Sequence, residues 1–266
     1  MISLDRYLSR IQYAGPLSLE HETLAALVEH HLAAIPFENI DVLLDRGIDI
    51  SIEAIENKLV ERHRGGYCFE HNGLFAQVLE ALGFEVERLA ARVLWGRGPN
   101  DPLRPRTHMA LRVRCDERRW LVDVGFGGAC PVVPLALDDA EPQATFLETF
   151  RVVSTDDGFT PQILMGDVWK SLYEASRRAV IDVDLVPLNW FTSTHPESPF
   201  KQHLMAACVT REARYSLLDG RLTVRRRDGS QETQSLHADG LAAALHEHFG
   251  LDVEPGWQDM IARLAR

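Results

Sequence analysis

The hydrophobic spacing of the chain changes near residue 83, and this change constrains the fold more than any other feature. Before it, apolar residues recur at helical intervals over residues 19–34, 51–64 and 68–82. Ser51 is suited to cap the second of these segments, and Gly83 suits the position that follows a helix end. The first third of the chain is therefore predicted to be helical.

After residue 83 the pattern indicates short strands. Segments rich in β-branched and aromatic residues alternate with glycine, proline and aspartate, which favour turns. The predicted strand segments are 84–95, 107–115, 120–124, 150–153 and 168–173. The middle third is thus predicted to form a β-barrel or a curled sheet.

The last third of the chain mixes both kinds of signal. Residues 214–218 and 221–227 flank an Asp-Gly pair at 219–220, which is a strong β-hairpin signal. A final helix is predicted from about residue 239 to 249, because a glycine follows it. Residues 185–200 contain prolines and serines and are predicted to form a loop that crosses between the two parts.

Composition and charge argue against several classes of protein. The 266 residues carry a net charge of −11, which does not suit a general nucleic-acid binder. The charged first residues and the lack of an apolar run of roughly 18 residues predict neither a secretory signal nor a membrane helix, and hence a cytoplasmic protein. The four cysteines are scattered without a Cys-x-x-Cys pair, so no metal site is expected. The histidines near residues 30–31 and 246–248 are interpreted as surface residues.

The sequence HRGGYCFEHNGLF at residues 63–75 places a cysteine just after a pair of glycines. Gly65 and Gly66 permit backbone angles that other residues avoid, and Cys68 then falls in the first turn of a predicted helix. Free N–H groups and the helix dipole favour a thiolate at that position. A lone cysteine at a helix start is more often structural, so a nucleophile also needs a partner base.

His108 and Asp123 are the candidates for the partner base and for the carboxylate that orients it. If the turn between their strands centres on residues 116–117, then Ala110 faces Asp123 and both candidates share one face of the sheet. Their backbones would lie about 7–8 Å apart, within reach of a side-chain hydrogen bond. A strand-end histidine or a turn carboxylate would explain either residue alone. Together with Cys68, they favour a nucleophile, a base and an orienting acid.

Four motifs resemble those of bacterial arylamine N-acetyltransferases. They are IPFEN at residues 35–39, RGGYCFEHN at 64–72, THMAL at 107–111 and VDVGFGG at 122–128. The resemblance covers nearly the whole chain and is strongest from about residue 30 to 130. The RGGYC block is highly specific, whereas the C-terminal half matches more weakly.

The resemblance implies an α+β fold with an N-terminal helical bundle, a central β-barrel and a C-terminal α/β lid, built around a cysteine-proteinase-like Cys-His-Asp core. The order of helices and strands deduced from the spacing agrees with this fold. The implied segments are a bundle carrying the nucleophile at 1–83, a barrel carrying the histidine and the aspartate at 84–185, an interdomain segment at 186–205 and a lid at 206–266.

The resemblance also implies the reaction, which is ping-pong acetyl transfer from acetyl-coenzyme A to an aromatic amine or hydrazine through an acetyl-cysteine. The family's triad falls on Cys68, His108 and Asp123, the same trio that the spacing favours. Acetyl-coenzyme A is then a co-substrate, and no metal, nucleic acid or membrane is expected as a partner. The alternatives are an amide synthase, a thiol hydrolase or another Cys-His-Asp acyltransferase. A non-catalytic binding module would lack a member of the triad.

By the same resemblance, three apolar residues are expected to line the slot for the aromatic acceptor: Phe37, Phe126 and Val93. Plain core packing would explain Phe37 equally well. Phe126 lies between two glycines beside Asp123, which favours a pocket role.

Other contacts are expected around the cysteine. By loose similarity, Gly127 and Thr210 are expected near coenzyme A. The backbone N–H of Cys68 is expected to donate to the oxyanion. Arg64 is expected to pair with Glu38 and to tie two N-terminal segments together.

Overall fold

Helices make up most of the first 82 residues. The structure is a computed structural model that describes residues 2–98 and 100–264. The three predicted helices are all present, with bounds close to the predicted ones. The elements of this part are α1 (Leu4–Arg10), α2 (His21–Ala34), β1 (Phe37–Glu38), α3 (Ile40–Leu43), α4 (Ile52–Glu56), a π-helical turn (Asn57–Glu61) and α5 (Cys68–Leu82).

Local contacts explain where two of these helices start and stop. The Ser51 hydroxyl accepts a hydrogen bond from Ala54 N at 3.4 Å, so Ser51 caps α4 as predicted. Gly83 follows α5 with a φ of +103°, a left-handed conformation that residues with a side chain rarely adopt. The buried faces of α2 and α5 share one apolar core, which holds the bundle together.

The middle of the chain forms an antiparallel sheet that curls into a nearly closed barrel. The order of strands across it is β5-β4-β3-β2-β10-β8-β7-β6, with β9 paired to β8. The predicted α+β fold with a central barrel is confirmed. The strands are β2 (Glu85–Val93), β3 (His108–Cys115), β4 (Arg118–Val122), β5 (Leu135–Ala136), β6 (Gln143–Ala144), β7 (Thr149–Ser154), β8 (Gly158–Met165), β9 (Val168–Ser171) and β10 (Tyr173–Ser176).

A side chain closes the seam between the first and last strands of this sheet. Gln143, in β6, accepts a hydrogen bond from Ala136 N at 2.8 Å and donates one to Ala136 O at 3.1 Å. Because β5 and β6 stand at opposite ends of the strand order, these two bonds take the place of the backbone pairing that would complete the ring.

The first four residues of β3, 108–111, are buried on both faces of the strand, whereas Arg112 is only partly buried and Arg114 is exposed. Met109 and Leu111 belong to the core that the sheet shares with α5. Ala110 faces the barrel interior beside Leu89, its partner on β2. Since side chains alternate along a strand, His108 lies on the same face as Ala110, at the first position of β3.

The C-terminal part begins with two helices and continues into a second antiparallel sheet. The order of this sheet is β1-β11-β12-β13-β14, so β1 from the first part of the chain supplies an edge strand. The predicted hairpin and final helix are confirmed, and a further short helix follows. The elements are α6 (Asp182–Thr194), α7 (Pro199–Gln202), β11 (Met205–Val209), β12 (Ala213–Leu218), β13 (Arg221–Arg226), β14 (Gln231–Ser235), α8 (Ala238–Phe249), a 3-10 turn (Pro255–Trp257) and α9 (Gln258–Leu264).

The predicted loop at residues 185–200 is wrong, because most of this segment is helical. Two aspartates in the first turn of α6 interact favourably with the helix dipole. Asn189 donates to Ile48 O at 3.0 Å and accepts from the Tyr67 hydroxyl. These long-range contacts outweigh the cost of Pro187 inside the helix, which was part of the signal for a loop.

The division of the chain into domains stays a prediction. Residue 1 of the predicted bundle, residue 99 of the predicted barrel and residues 265–266 of the predicted lid lie outside the described residues. The predicted bundle and lid share a sheet, because Phe37 in β1 pairs with Ala207 in β11.

No helix within residues 2–98 and 100–264 is long and apolar enough to cross a membrane. In the same ranges, no three histidine, cysteine, aspartate or glutamate side chains cluster as metal ligands would. The cytoplasmic location and the lack of a metal requirement stay predictions.

Candidate active site

Cys68 is the first residue of α5, and only 2% of its surface is exposed. The glycines before it are needed for close approach. A Cβ on Gly65 would overlap Pro36 O, and a Cβ on Gly66 would lie 2.7 Å from Glu70 Oε2. Neither glycine has a positive φ, so the structure does not use the left-handed conformation that glycine permits. The pair instead lets the segment of Pro36 pack directly against the turn that leads to the cysteine.

A buried ion-pair cluster supports the start of α5. Glu70 accepts a hydrogen bond from Tyr67 N at 3.0 Å and pairs with Lys58 at 2.8 Å. Arg64 pairs with Glu38 at 2.6 Å, which confirms the predicted ion pair. Because buried charges are costly to leave unpaired, these contacts fix the segments on both sides of the glycine turn.

His108 and Asp123 form a buried hydrogen-bonded pair. Leu111 pairs with Val122 across β3 and β4, which is the predicted register. His108 Nε2 lies 2.7 Å from Asp123 Oδ2, and each residue is only 2% exposed. A carboxylate only accepts, so Nε2 donates to Asp123 and Nδ1 is the ring nitrogen left to act on Cys68. The Cys68 thiol itself donates to Thr107 O, in the residue before His108, at 3.7 Å.

Asn72 holds the second oxygen of Asp123. Its Nδ2 donates to Asp123 Oδ1 at 2.9 Å and to Met109 O at 2.7 Å, while its Oδ1 accepts from Val124 N at 3.0 Å. Sequence reasoning missed this residue. The available signal was its position four residues after Cys68, which puts both on one face of α5.

Gly125 brings the loop that follows β4, residues 123–128, against the start of α5. This loop is called the aspartate loop. The Gly125 N–H donates to Asp123 Oδ1 at 2.8 Å. A Cβ at this position would lie 2.8 Å from Cys68 Cα and 3.1 Å from His71 Cβ. The loop therefore reaches the helix at the cysteine itself, and the three residues of the predicted triad meet at one place.

Burial and charge act on the His108–Asp123 pair in opposite directions. Burial acts to lower the pKa of His108, but the charge of Asp123, the hydrogen bond with Asp123 and the nearby Cys68 thiol raise this pKa to about 10. Burial acts to raise the pKa of Asp123, but the charge of His108 and the accepted hydrogen bonds lower it. The surroundings thus favour an imidazolium between the carboxylate and the sulfur, the state reached when the thiol proton has moved to the histidine.

Aromatic rings pack beside His108. The ring centroids of Tyr173 and Phe126 lie 4.6 Å and 5.2 Å from that of His108. Val93 lies at the end of β2, directly opposite Tyr173. Of the predicted slot residues, Phe126 therefore lies next to His108, and Val93 lies next to Tyr173. Tyr173 was missed because a tyrosine in a strand carries no signal of which distant residue it contacts.

Phe37 is 8% exposed and belongs to the apolar core. A Cβ at Gly127, whose φ is +75°, would lie 3.3 Å from the Phe37 ring. The ring also stacks with His71, at 6.4 Å between centroids and 17° between planes. Phe37 thus packs in the core and also contacts the loop that carries Phe126.

Thr210 is occupied within its own turn. Its hydroxyl accepts hydrogen bonds from Glu212 N at 3.3 Å and Ala213 N at 3.2 Å. Within the described part of the chain, its hydrogen bonds do not reach the cysteine. These bonds close the turn between β11 and β12, so a contact of Thr210 with coenzyme A stays a prediction.

A cysteine at a helix start, beside a buried histidine–carboxylate pair, defines the class of thiol-dependent enzymes with a Cys-His-Asp site. Comparison with known proteins narrows this class. The family model described as N-acetyltransferase matches residues 20–257. The arylamine N-acetyltransferase of Mycobacterium tuberculosis is 42% identical over 255 residues, which make up 95% of this chain and 90% of that protein.

Solved structures agree with the sequence comparison. The arylamine N-acetyltransferase of Mycobacterium marinum superposes with a TM-score of 0.95 at 41% identity, covering 99% of this chain and 100% of that one. The structure of the M. marinum enzyme in complex with CoA gives a TM-score of 0.94 at 40% identity, with 99% and 100% covered. The chain belongs to the arylamine N-acetyltransferase family.

Proposed function

We propose that this chain transfers the acetyl group of acetyl-coenzyme A to the nitrogen of an aromatic amine or hydrazine, with Cys68 carrying the acetyl group in between. The meeting of Cys68 with the buried His108–Asp123 pair, in a chain of this family, carries the proposal. The CoA complex of the M. marinum relative supports the donor. The name of the M. tuberculosis relative supports the acceptor.

In the first half-reaction, Cys68 is the nucleophile and His108 is the base. His108 takes the thiol proton, and Cys68 Sγ attacks the carbonyl carbon of the thioester. The bond between this carbon and the coenzyme A sulfur breaks, and His108 returns the proton to the departing thiolate. The Cys68 N–H is our candidate oxyanion donor, because N–H groups in the first turn of a helix lack an intrahelical partner.

In the second half-reaction, the acceptor amine attacks the carbonyl carbon of acetyl-Cys68. The amine gives a proton to His108, the bond from the carbon to Sγ breaks, and the thiol is restored as the amide leaves. Asp123 keeps Nε2 of the imidazole as a donor throughout. Asn72 and Gly125 in turn hold Asp123.

The acceptor slot is proposed to lie beside His108. The rings of Phe126 and Tyr173 favour a planar aromatic acceptor at this position, because offset or edge-on ring contacts are favourable. Phe37 and Val93 complete the slot in this proposal, and the backbone of Gly127 is the candidate contact for the donor.

The intact mass of the protein after mixing with acetyl-coenzyme A tests the proposal. We expect a gain of about 42 Da, one acetyl group on a thiol, which disappears when an aromatic amine is added. Cys68→Ala should gain nothing. The matched control Cys115→Ala should gain the full mass, since Cys115 is a buried thiol of β3 outside the site. A gain that persists in Cys68→Ala would contradict the proposal. Acylation by long-chain thioesters alone would favour an amide synthase instead.

A further inference from the structure

A buried network of hydrogen bonds runs from α1 to the segment that carries Phe37. The Tyr7 hydroxyl lies 2.9 Å from His31 Nδ1, His31 Nε2 lies 2.8 Å from His71 Nδ1, and His71 Nε2 lies 3.1 Å from Pro36 O. These three side chains, the Tyr7–His31–His71 network, are fully buried. The prediction that His31 lies on the surface is therefore wrong.

The end of the network fixes the direction of every hydrogen bond in it. A carbonyl only accepts, so His71 Nε2 donates to Pro36 O and His71 Nδ1 accepts from His31 Nε2. His31 Nδ1 then accepts from the Tyr7 hydroxyl. Burial lowers the pKa of His71 to about 4 and the pKa of His31 well below its usual value. Both imidazoles are thus neutral, and all their nitrogens have partners.

His71 joins this network to two walls of the candidate site. It bonds the carbonyl of Pro36, the residue before Phe37, and its ring stacks on the Phe37 ring. Its Cβ lies against Gly125 in the aspartate loop. The Phe37 ring also meets Gly127, which has no side chain. His71 therefore contacts both the backbone and the ring of Phe37, in addition to the strand pairing with Ala207 and the ring contact with Phe200.

We propose that the Tyr7–His31–His71 network positions Phe37 and thereby determines how tightly the aromatic acceptor binds, without taking part in the acetylation of Cys68. The inference rests on the proposed function, since it treats Phe37 as part of the acceptor slot. The hydrogen bonds of the Tyr7–His31–His71 network end at Pro36 O and, among the described residues, involve neither Cys68 nor His108. Its members are thus positioning residues for the second half-reaction.

Paired substitutions at His71 test this role. Glutamine ends in one donor and one acceptor, so His71→Gln can bond Pro36 O and His31 Nε2 together, whereas His71→Leu can bond neither. We expect the KM for an aromatic amine to rise about tenfold in His71→Leu and to stay within about twofold of wild type in His71→Gln. The single-turnover rate of Cys68 acetylation, followed by intact mass, should stay within about threefold in both.

Two further variants keep the test decisive if His71→Leu does not fold. Tyr7→Phe removes only the terminal hydroxyl and should raise the acceptor KM about threefold. His30→Gln is the matched control, because His30 is the neighbouring histidine and bonds Ile11 O outside the network; it should leave the KM unchanged.

Two results would overturn the inference. One is an acceptor KM that stays at the wild-type value in Tyr7→Phe and in any folded His71→Leu while the melting temperature falls, which would mean a purely structural role. The other is an equal loss in both half-reactions, which would mean a general disturbance of the site. Failure of the proposed function looks different, because the unsubstituted protein would then gain no acetyl group.

Discussion

At the scale of single residues, the candidate site depends on backbone contacts as much as on its three reactive side chains. Asn72 connects Asp123 to backbone groups on β3 and on the aspartate loop, so each polar atom of its amide has a partner that an apolar residue could not supply. Gly125 lets the same loop touch the first residue of α5. Small changes at either position should therefore disturb the reactive geometry before they disturb the fold.

Gly125→Ala should lower kcat/KM by about a hundredfold. A Cβ only 2.8 Å from Cys68 Cα has to push the loop and the helix apart, and a misplacement of about 1 Å can cost this much in rate. Steady-state kinetics with acetyl-coenzyme A and an aromatic amine measure the effect. Gly240→Ala in α8 is the matched control, because a Cβ there meets only Leu236 at 3.6 Å or more. Equal activity in the two variants would rule out the close-approach argument.

At the scale of elements, the local patterns were predictable and the long-range partners were not. Helix α5 and the register of β3 with β4 follow from apolar spacing, a terminal glycine and one turn. Helix α6 was missed because its helical state depends on contacts such as Asn189 with Ile48, 141 residues apart in sequence. His31 and His71 were missed for the same reason, since nothing in a single sequence marks a histidine whose partner lies 40 residues away.

The seam of the barrel gives a prediction at this scale. Gln143→Ala removes two hydrogen bonds and leaves Ala136 N and Ala136 O without their partner, so it should lower the free energy of unfolding by about 1–3 kcal/mol. Urea denaturation measures this loss. Gln234→Ala on the exposed strand β14 should change the free energy by less than about 0.5 kcal/mol. A Gln143→Ala variant as stable as this control would mean that the side chain does not close the barrel.

At the scale of the whole molecule, stability depends on protons bound at two buried histidines. The pKa of His71 in the folded chain, about 4, lies below its ordinary value of 6.5, so the unfolded chain binds more protons between these pH values. The pKa of His108, about 10, lies above 6.5, so here the folded chain binds more. Besides burial, the charge of Lys58 lowers the pKa of His71 and the charge of Asp123 raises it. The charge of Arg10 lowers the pKa of His31.

The free energy of unfolding should therefore be greatest near pH 6.5. It should fall by up to about 3 kcal/mol between pH 6.5 and 4, because the unfolded chain gains the proton that buried His71 excludes. It should also fall as the pH rises from 6.5 toward 10, because folded His108 then loses the proton that Asp123 stabilises. Urea denaturation at a series of pH values checks both limbs. The fall in the free energy of unfolding toward low pH should be smaller in His71→Gln, and the fall toward high pH should be smaller in His108→Gln. Falls as large as in the unsubstituted protein would contradict the roles given to these two histidines.

The edge strand β1 belongs to the C-terminal sheet, yet its first residue is Phe37. A chimera that takes residues 205–264 from a relative would therefore replace the strand that pairs with Phe37. Such a hybrid should differ from its parents in which amines it accepts, even if none of the exchanged side chains meets the amine. With Phe37 in the proposed acceptor slot, the part of the chain most remote from Cys68 in sequence would thus influence substrate preference.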